Sequence, residues 1–189
     1  MKHLVVHTHL NPQSFTKAVT DEVIKVANTK GHTVKTIDLY ADGFDPVLKF
    51  PDIQSMFMGG EVQEDVKNYQ EMISWANHLT FVYPMWWGQM PAMLKGFIDR
   101  VFANGFAFSY GPEGVKGFLT DKTVRLIINT STTNQIYSET GMHEAQVRIN
   151  DPGIFGFCGM KTDLTFFGNI TTGTDEERKA YLASVTELV

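Results

Sequence analysis

Two tryptophans held between two prolines are the side chains best placed to do chemistry: Pro84-Met85-Trp86-Trp87-Gly88-Gln89-Met90-Pro91. A loop walled by indoles and closed by prolines suits a flat aromatic ligand, because large aromatic faces stack and bury much area. The same indoles could instead plug a core or a subunit contact. Tyr137 and His143, six residues apart, form a second group. A phenol and an imidazole can stabilise developing negative charge or move a proton, and histidine's reference pKa of about 6.5 suits that task. A purely structural pair is the alternative. Ser14 stands in cap position before a helical pattern, where free N–H groups and a positive dipole end attract phosphate. A plain helix cap explains the same serine. The run Thr130-Ser131-Thr132-Thr133-Asn134 offers hydroxyls and amides, as a generic loop also would. His7 and His9 would share one face of an extended segment. Neither an acidic residue nor a cysteine lies at useful spacing to complete the three or four ligands a metal needs.

These groups need a scaffold, and the hydrophobic pattern supplies one. Leu4-Val5-Val6 reads as a first strand, and Phe15, Val19, Val23 and Val26 recur at helical spacing before Gly31 stops the helix. Thr33 to Asp38 alternates and is rich in β-branched residues, which predicts a second strand. A parallel pair with a right-handed crossover follows. An irregular connection then runs to Gly59-Gly60. Val62, Val66, Tyr69, Met72, Ile73 and Ala76 predict one core-facing helix face. The central strand runs from Leu79 to Tyr83 and stops at Pro84, which has no N–H to give a ladder. Pro91 opens the next helix, whose apolar positions are Met93, Leu94, Phe97, Ile98 and Val101. The glycine-punctuated stretch from Gly111 to Gly117 reads as a loop, and Phe108 and Tyr110 before it as exposed aromatics on a ligand wall or subunit contact. Thr123 to Asn129 and Asp163 to Phe167 are further strands, and Thr174 to Glu177 is a capping box for a last helix. Strand–helix alternation of this kind implies an α/β doubly wound sheet, whose ligands bind where strands end.

Bulk properties narrow the function. With 189 residues, 43% hydrophobic and 20% charged, the expectation is one globular domain spanning residues 1–189. A net charge of -5, without a basic cluster, gives no electrostatic reason to expect nucleic acid. The single cysteine, Cys158, cannot form an intrachain disulfide and has no basic neighbour to activate it. Too few apolar residues follow Met1-Lys2-His3 for a signal peptide, and no run reaches membrane-spanning length, so a cytoplasmic protein without membrane insertion is expected. The segment His9 to Phe15 has no glycine. It is therefore neither a Walker loop nor a dinucleotide fingerprint.

Pro84-Met85-Trp86-Trp87, Pro91, Leu94-Lys95-Gly96-Phe97 and Arg100-Val101-Phe102 resemble the central signature of the NAD(P)H:quinone oxidoreductase family, flavodoxin-like flavoproteins that include diaphorases and small bacterial quinone reductases. The loop His9-Leu10-Asn11-Pro12-Gln13-Ser14-Phe15, the pair Asp38-Leu39-Tyr40 and Phe44-Asp45-Pro46, and the pair Tyr137-Ser138 and Gly141-Met142-His143 resemble it too. Leu10 stands where many relatives have proline, and Ser131 and Thr132 where many have glycine. The added C-terminal segment of larger members is lacking.

The resemblance implies a flavodoxin-like three-layer sandwich with a five-stranded parallel sheet in order 2-1-3-4-5. It implies FAD, with FMN as the alternative, and NAD(P)H as electron donor. The implied activity is ping-pong, two-electron reduction of quinones or similar aromatic acceptors. Cofactor-binding positions would be His9, Ser14, Phe15, Pro84, Met85, Trp86, Trp87, Gly88, Thr130, Ser131, Thr132 and Tyr137. Tyr137 and His143 would be catalytic, while Trp87, Phe108, Tyr110 and His143 would contact substrate. Phe108 and Tyr110 would reach across a homodimer interface. The alternatives are a regulatory flavoprotein subunit of a potassium efflux transporter, a nitro- or azo-compound reductase, and a one-electron carrier like flavodoxin.

Overall fold

Residues 1–189 are described by a computed structural model. The central sheet comprises β1 (Lys2–His7), β2 (Thr33–Asp38), β3 (His78–Pro84), β6 (Thr123–Asn129) and β7 (Lys161–Phe167), in spatial order β2-β1-β3-β6-β7. All four pairings are parallel. Counting only these strands, the order is 2-1-3-4-5, as expected. The inner strands are buried on both faces, which is why they read as near-continuous apolar runs. Leu4 and Val6 face one apolar layer while Val5 faces the other, and Leu126 and Ile127 divide the same way.

Helices α1 (Phe15–Thr29) and α7 (Asp175–Leu188) cover one face through Val19, Val23 and Val185. On the other face lie α3 (Glu64–Trp75) and α4 (Ala92–Val101), which contribute Val66, Ile73, Leu94 and Phe97. The expected capping box is present: Glu177 N–H donates to Thr174 Oγ1 and Thr174 N–H donates to Glu177 Oε2. In α4, Gly96 lies against the 44–46 loop. A Cβ there would sit 2.1 Å from the Pro46 carbonyl oxygen, so only glycine lets that loop dock.

Three expectations are corrected. The connection before Gly59 is not wholly irregular, because it contains α2 (Phe50–Phe57). Its apolar residues Phe50, Ile53 and Phe57 recur at helical spacing, but Phe50 and Phe57 are exposed, so this stripe does not pack into the core. It is held instead by charge: Arg100 Nε lies 3.2 Å from Asp52 Oδ2, both side chains nearly fully buried, and Arg100 Nη1 lies 2.7 Å from Asp65 Oδ2. Val62 is exposed and precedes α3, so the core face of that helix begins at Val66. The stretch 111–117 is not a loop but most of a hairpin, with β4 (Phe108–Gly111) antiparallel to β5 (Gly114–Gly117). Gly117 packs so closely on the Cys158–Gly159 backbone that a Cβ would lie 2.3 Å from the Cys158 carbonyl carbon. Its glycines therefore mark close approach and a tight turn.

Candidate active site

Three chain segments leave the carboxyl end of the sheet side by side, from β1, β3 and β6. After β1, the His9 ring accepts from the Asn11 N–H (2.9 Å), and Asn11 Oδ1 accepts from the Gln13 N–H (2.9 Å). These local bonds shape the entry to α1. Ser14 caps the helix by accepting from the Lys17 N–H at 3.1 Å. The N–H groups of Phe15 and Thr16, in the first turn, donate to nothing in the chain. Orphan donors at a helix start are an anion site in waiting. His7 turns the other way, with Nδ1 2.9 Å from Thr20 Oγ1, and is buried. His7 and His9 thus occupy different environments.

The β3 segment is a tight two-residue turn. Trp86 N–H donates to the Gln89 carbonyl (2.9 Å) and Gln89 N–H donates back to Trp86 (3.0 Å). Trp87 and Gly88 between them both have positive φ, +53° and +71°. This is the two-residue hairpin turn that favours Asn-Gly or Gly-Gly, so a tryptophan there is strained. Trp87 projects wholly into solvent (102% of its reference exposure), whereas Trp86 is 39% exposed and its ring meets His9 at 5.8 Å between centroids. The N–H groups of Trp87 and Gly88 are also without acceptors in the chain. Burial lowers the His9 pKa, which favours a neutral ring beside Trp86. Pro84 and Met85 are buried, and Met85 N–H donates to the Asn129 carbonyl at 2.8 Å, which ties this segment to β6.

In the β6 segment the predicted hydroxyls are largely spent on the protein itself. Thr130 Oγ1 donates to the Thr132 carbonyl (2.7 Å), Ser131 Oγ pairs with Thr171 Oγ1 (2.7 Å), and Thr133 Oγ1 caps α5 (Asn134–Glu139). What remains free here is the Thr132 hydroxyl and the backbone N–H groups of Ser131 and Thr132. Tyr137 lies on α5 and His143 on α6 (Met142–Asn150), with ring centroids 6.0 Å apart and planes at 88°. His143 stacks on Phe166 (4.3 Å, 29°), and its buried Nε2 has no partner.

Phe108 and Tyr110 are not brought to this pair within one chain. They lie on β4, where Phe108 packs on Phe157 (5.0 Å) and Tyr110 is 65% exposed. Phe108 also lines a cavity of about 310 Å³ with Ile98, Phe102 and Phe157. Cys158 borders it, and burial pushes its thiol up to about 12, which keeps it protonated.

Three polar residues at this edge escape a reading of the sequence. Thr8 and Asn129 are buried at the ends of β1 and β6, and Thr8 Oγ1 and Asn129 Oδ1 have no partner. Asn129 Nδ2 donates to Thr16 Oγ1 at 3.0 Å, linking β6 to α1. Gln146, buried on α6, donates to the Gly88 carbonyl at 2.8 Å. A polar residue closing an apolar strand run, and one a helical turn beyond His143, were the available signals.

The family described as having the flavodoxin-like fold matches residues 1–188. The chain belongs to this family. A Haemophilus influenzae protein named an uncharacterized NAD(P)H oxidoreductase is 31% identical, with 96% of this flavodoxin-like chain and 91% of the relative covered. The human ribosyldihydronicotinamide dehydrogenase (quinone) is 29% identical over 97% of this chain and 88% of its own length. A solved NAD(P)H:quinone oxidoreductase from Methanothermobacter marburgensis is 27% identical. It superposes with a TM-score of 0.87, covering 99% of this chain and 94% of that one. No helix of the flavodoxin-like chain is long and apolar enough to cross a membrane.

Proposed function

We propose that this protein is a flavin-dependent NAD(P)H:quinone oxidoreductase, a single flavin-binding domain over residues 1–189 that works as a homodimer. One observation carries the reading. Unpartnered backbone donors from three segments, at Phe15–Thr16, Trp87–Gly88 and Ser131–Thr132, lie at one edge of the sheet beside an exposed indole. Ligands of open α/β sheets bind at this edge. The flavodoxin-like family and the quinone reductases among the relatives support a flavin as that ligand. The residues present fit one: the buried, unpartnered Thr8 Oγ1, Asn129 Oδ1 and His143 Nε2 are polar atoms that a polar ligand would satisfy.

Ser14, Phe15 and His9 would hold the phosphate end at the α1 terminus. The backbone from Pro84 to Gly88 and the Thr130–Thr132 segment would bind the polar ring edge, with Trp86 and Trp87 as walls. When bound, the flavin supplies two-electron exchange between nicotinamide and acceptor. The Tyr137 hydroxyl and His143 Nε2 would hold a proton at that edge, where charge stabilisation is worth most in a water-poor site. Phe108 and Tyr110 of a second copy would close the acceptor side. The exposed Phe50, Phe57, Met58 and Phe118 supply apolar surface for that contact. FAD is the flavin we assign, with FMN as the alternative.

Steady-state kinetics with NADH or NADPH and a benzoquinone tests the activity. Parallel double-reciprocal lines and no free semiquinone are expected. Absence of quinone reduction by flavin-loaded protein would remove the enzyme assignment.

A further inference from the structure

The strained Trp87–Gly88 turn is held from beneath by one buried amide. Gln146 is 2% exposed, and its Nε2 donates to the Gly88 carbonyl at 2.8 Å. Its orientation is set by a neighbour one helical turn on. Asn150, 1% exposed, donates through Nδ2 to Gln146 Oε1 (3.2 Å) and to the Gln146 carbonyl (2.9 Å). With Oε1 facing a donor, Nε2 must face Gly88. The Met142 methyl group closes the same spot, 3.8 Å from where a Gly88 Cβ would be. Holding the carbonyl side of the turn leaves the N–H groups of Trp87 and Gly88 free on the other. The same helix carries His143 three residues earlier, so α6 fixes the spacing between the imidazole and the indole turn.

We infer that Gln146, oriented by Asn150, is a positioning residue that sets flavin affinity by locking the Trp87–Gly88 turn with its two N–H groups free for the ligand. The inference rests on the flavin reading proposed above. The positive φ at Trp87 carries a cost that surrounding contacts offset, and the Gln146 bond adds to the two Trp86–Gln89 backbone bonds that close the turn. Gln146 itself reaches no ligand, and its effect passes through the Gly88 carbonyl.

The test is titration of flavin-free protein with FAD and with FMN, read by flavin fluorescence. Gln146→Met keeps the volume and removes the donor. Loss of one buried hydrogen bond predicts flavin binding about tenfold weaker or more. Gln146→Glu presents a carboxylate to the Gly88 carbonyl at pH 8 and should bind flavin as weakly. A buried carboxyl titrates above its usual range, so towards pH 5 its protonated form can donate to Gly88 and affinity should return. Wild-type affinity should change far less over that range. A role in packing alone would not produce such rescue. Wild-type flavin binding with both variants within twofold of it at pH 8, or a Gln146→Glu defect that does not change with pH, would overturn this inference alone. Wild-type protein that binds no flavin would overturn the proposed function with it.

Discussion

At its amino end the sheet carries His3 on β1 and His78 on β3; near its carboxyl end it carries Thr8 and, on the adjoining α6, His143. The amino-end groups form one connected chain. Thr123 Oγ1 lies 2.6 Å from His78 Nδ1, and Thr80 Oγ1 lies 3.3 Å from His78 Nε2 and 2.8 Å from His3 Nε2. His3 Nδ1 then lies 3.5 Å from His32 Nδ1. Each neutral imidazole can give one hydrogen bond and accept one, so the chain closes without an orphan. At the other end Thr8 Oγ1 and His143 Nε2 are buried without partners, Trp87 is strained and exposed, and backbone N–H groups of three segments stay free. At the amino end the histidines and threonines satisfy one another, although Arg125 Nε and Thr162 Oγ1 alongside are buried without partners. The carboxyl end is left for a ligand, and local strain is kept where function needs it.

Substitutions should separate the two ends. The largest effect is expected at the open end, in rate. His143→Ala and Tyr137→Phe should slow flavin reduction by NAD(P)H about a hundredfold, the size of a lost proton-transfer or charge-stabilising group, while flavin stays bound. Stopped-flow rates equal to wild type in both would take them out of the chemistry. At the closed end the effect should be on stability. Thr80→Val leaves the Nε2 atoms of His3 and His78 unpaired and should cost about 2 kcal/mol in urea unfolding, with flavin affinity kept. Loss of flavin binding there would dissolve the distinction between the ends.

Acid sharpens it further. Burial holds His3 down to about 3 and His78 to about 4, with His32 also lowered. The charges facing the cluster are the amino terminus, Lys30 and Arg125, the last paired with Asp163. Because the folded pKa values lie below the unfolded value of about 6.5, the unfolded chain binds protons first. Stability is therefore full above about pH 6.5, falls as pH drops, and levels off below the folded values. Each strongly shifted histidine adds up to about 1.4 kcal/mol per pH unit within that window. Replacing His78 with asparagine should flatten the slope of unfolding free energy between pH 6.5 and 4; an unchanged slope would contradict the assignment. The smallest effect belongs to Trp87→Gly. Relief of the positive φ outweighs the added chain entropy of glycine by up to about 1 kcal/mol, so this variant should melt slightly higher while acceptor KM rises. A lower melting temperature would mean that the turn is not strained.

The strands β1, β3 and β6 were legible because burial on both faces leaves an unbroken apolar signature, and α1 and α7 because their caps are local. The indole loop, Tyr137 and His143 stood out by residue type. The α2 helix has Phe50, Ile53 and Phe57 at helical spacing, a short stripe easily missed, and its buried anchor of Asp52 on Arg100 joins residues far apart in sequence. The hairpin β4–β5 was hidden by glycines that serve packing against Gly159 as well as turning. Hydroxyls at Thr130 and Ser131 looked like ligand donors but are used within the chain, leaving backbone donors that no side-chain pattern reports. Gln146 and the His3–Thr80–His78 chain depend on pairings between segments far apart in sequence, so no local window contains them.

The most direct test is what the purified protein carries. The protein should be yellow, or become so when flavin-free material is offered FAD or FMN, and heat should release stoichiometric flavin identifiable by chromatography. Folded, colourless protein that takes up neither flavin would contradict the central claim that the free donors at the carboxyl edge are a flavin site.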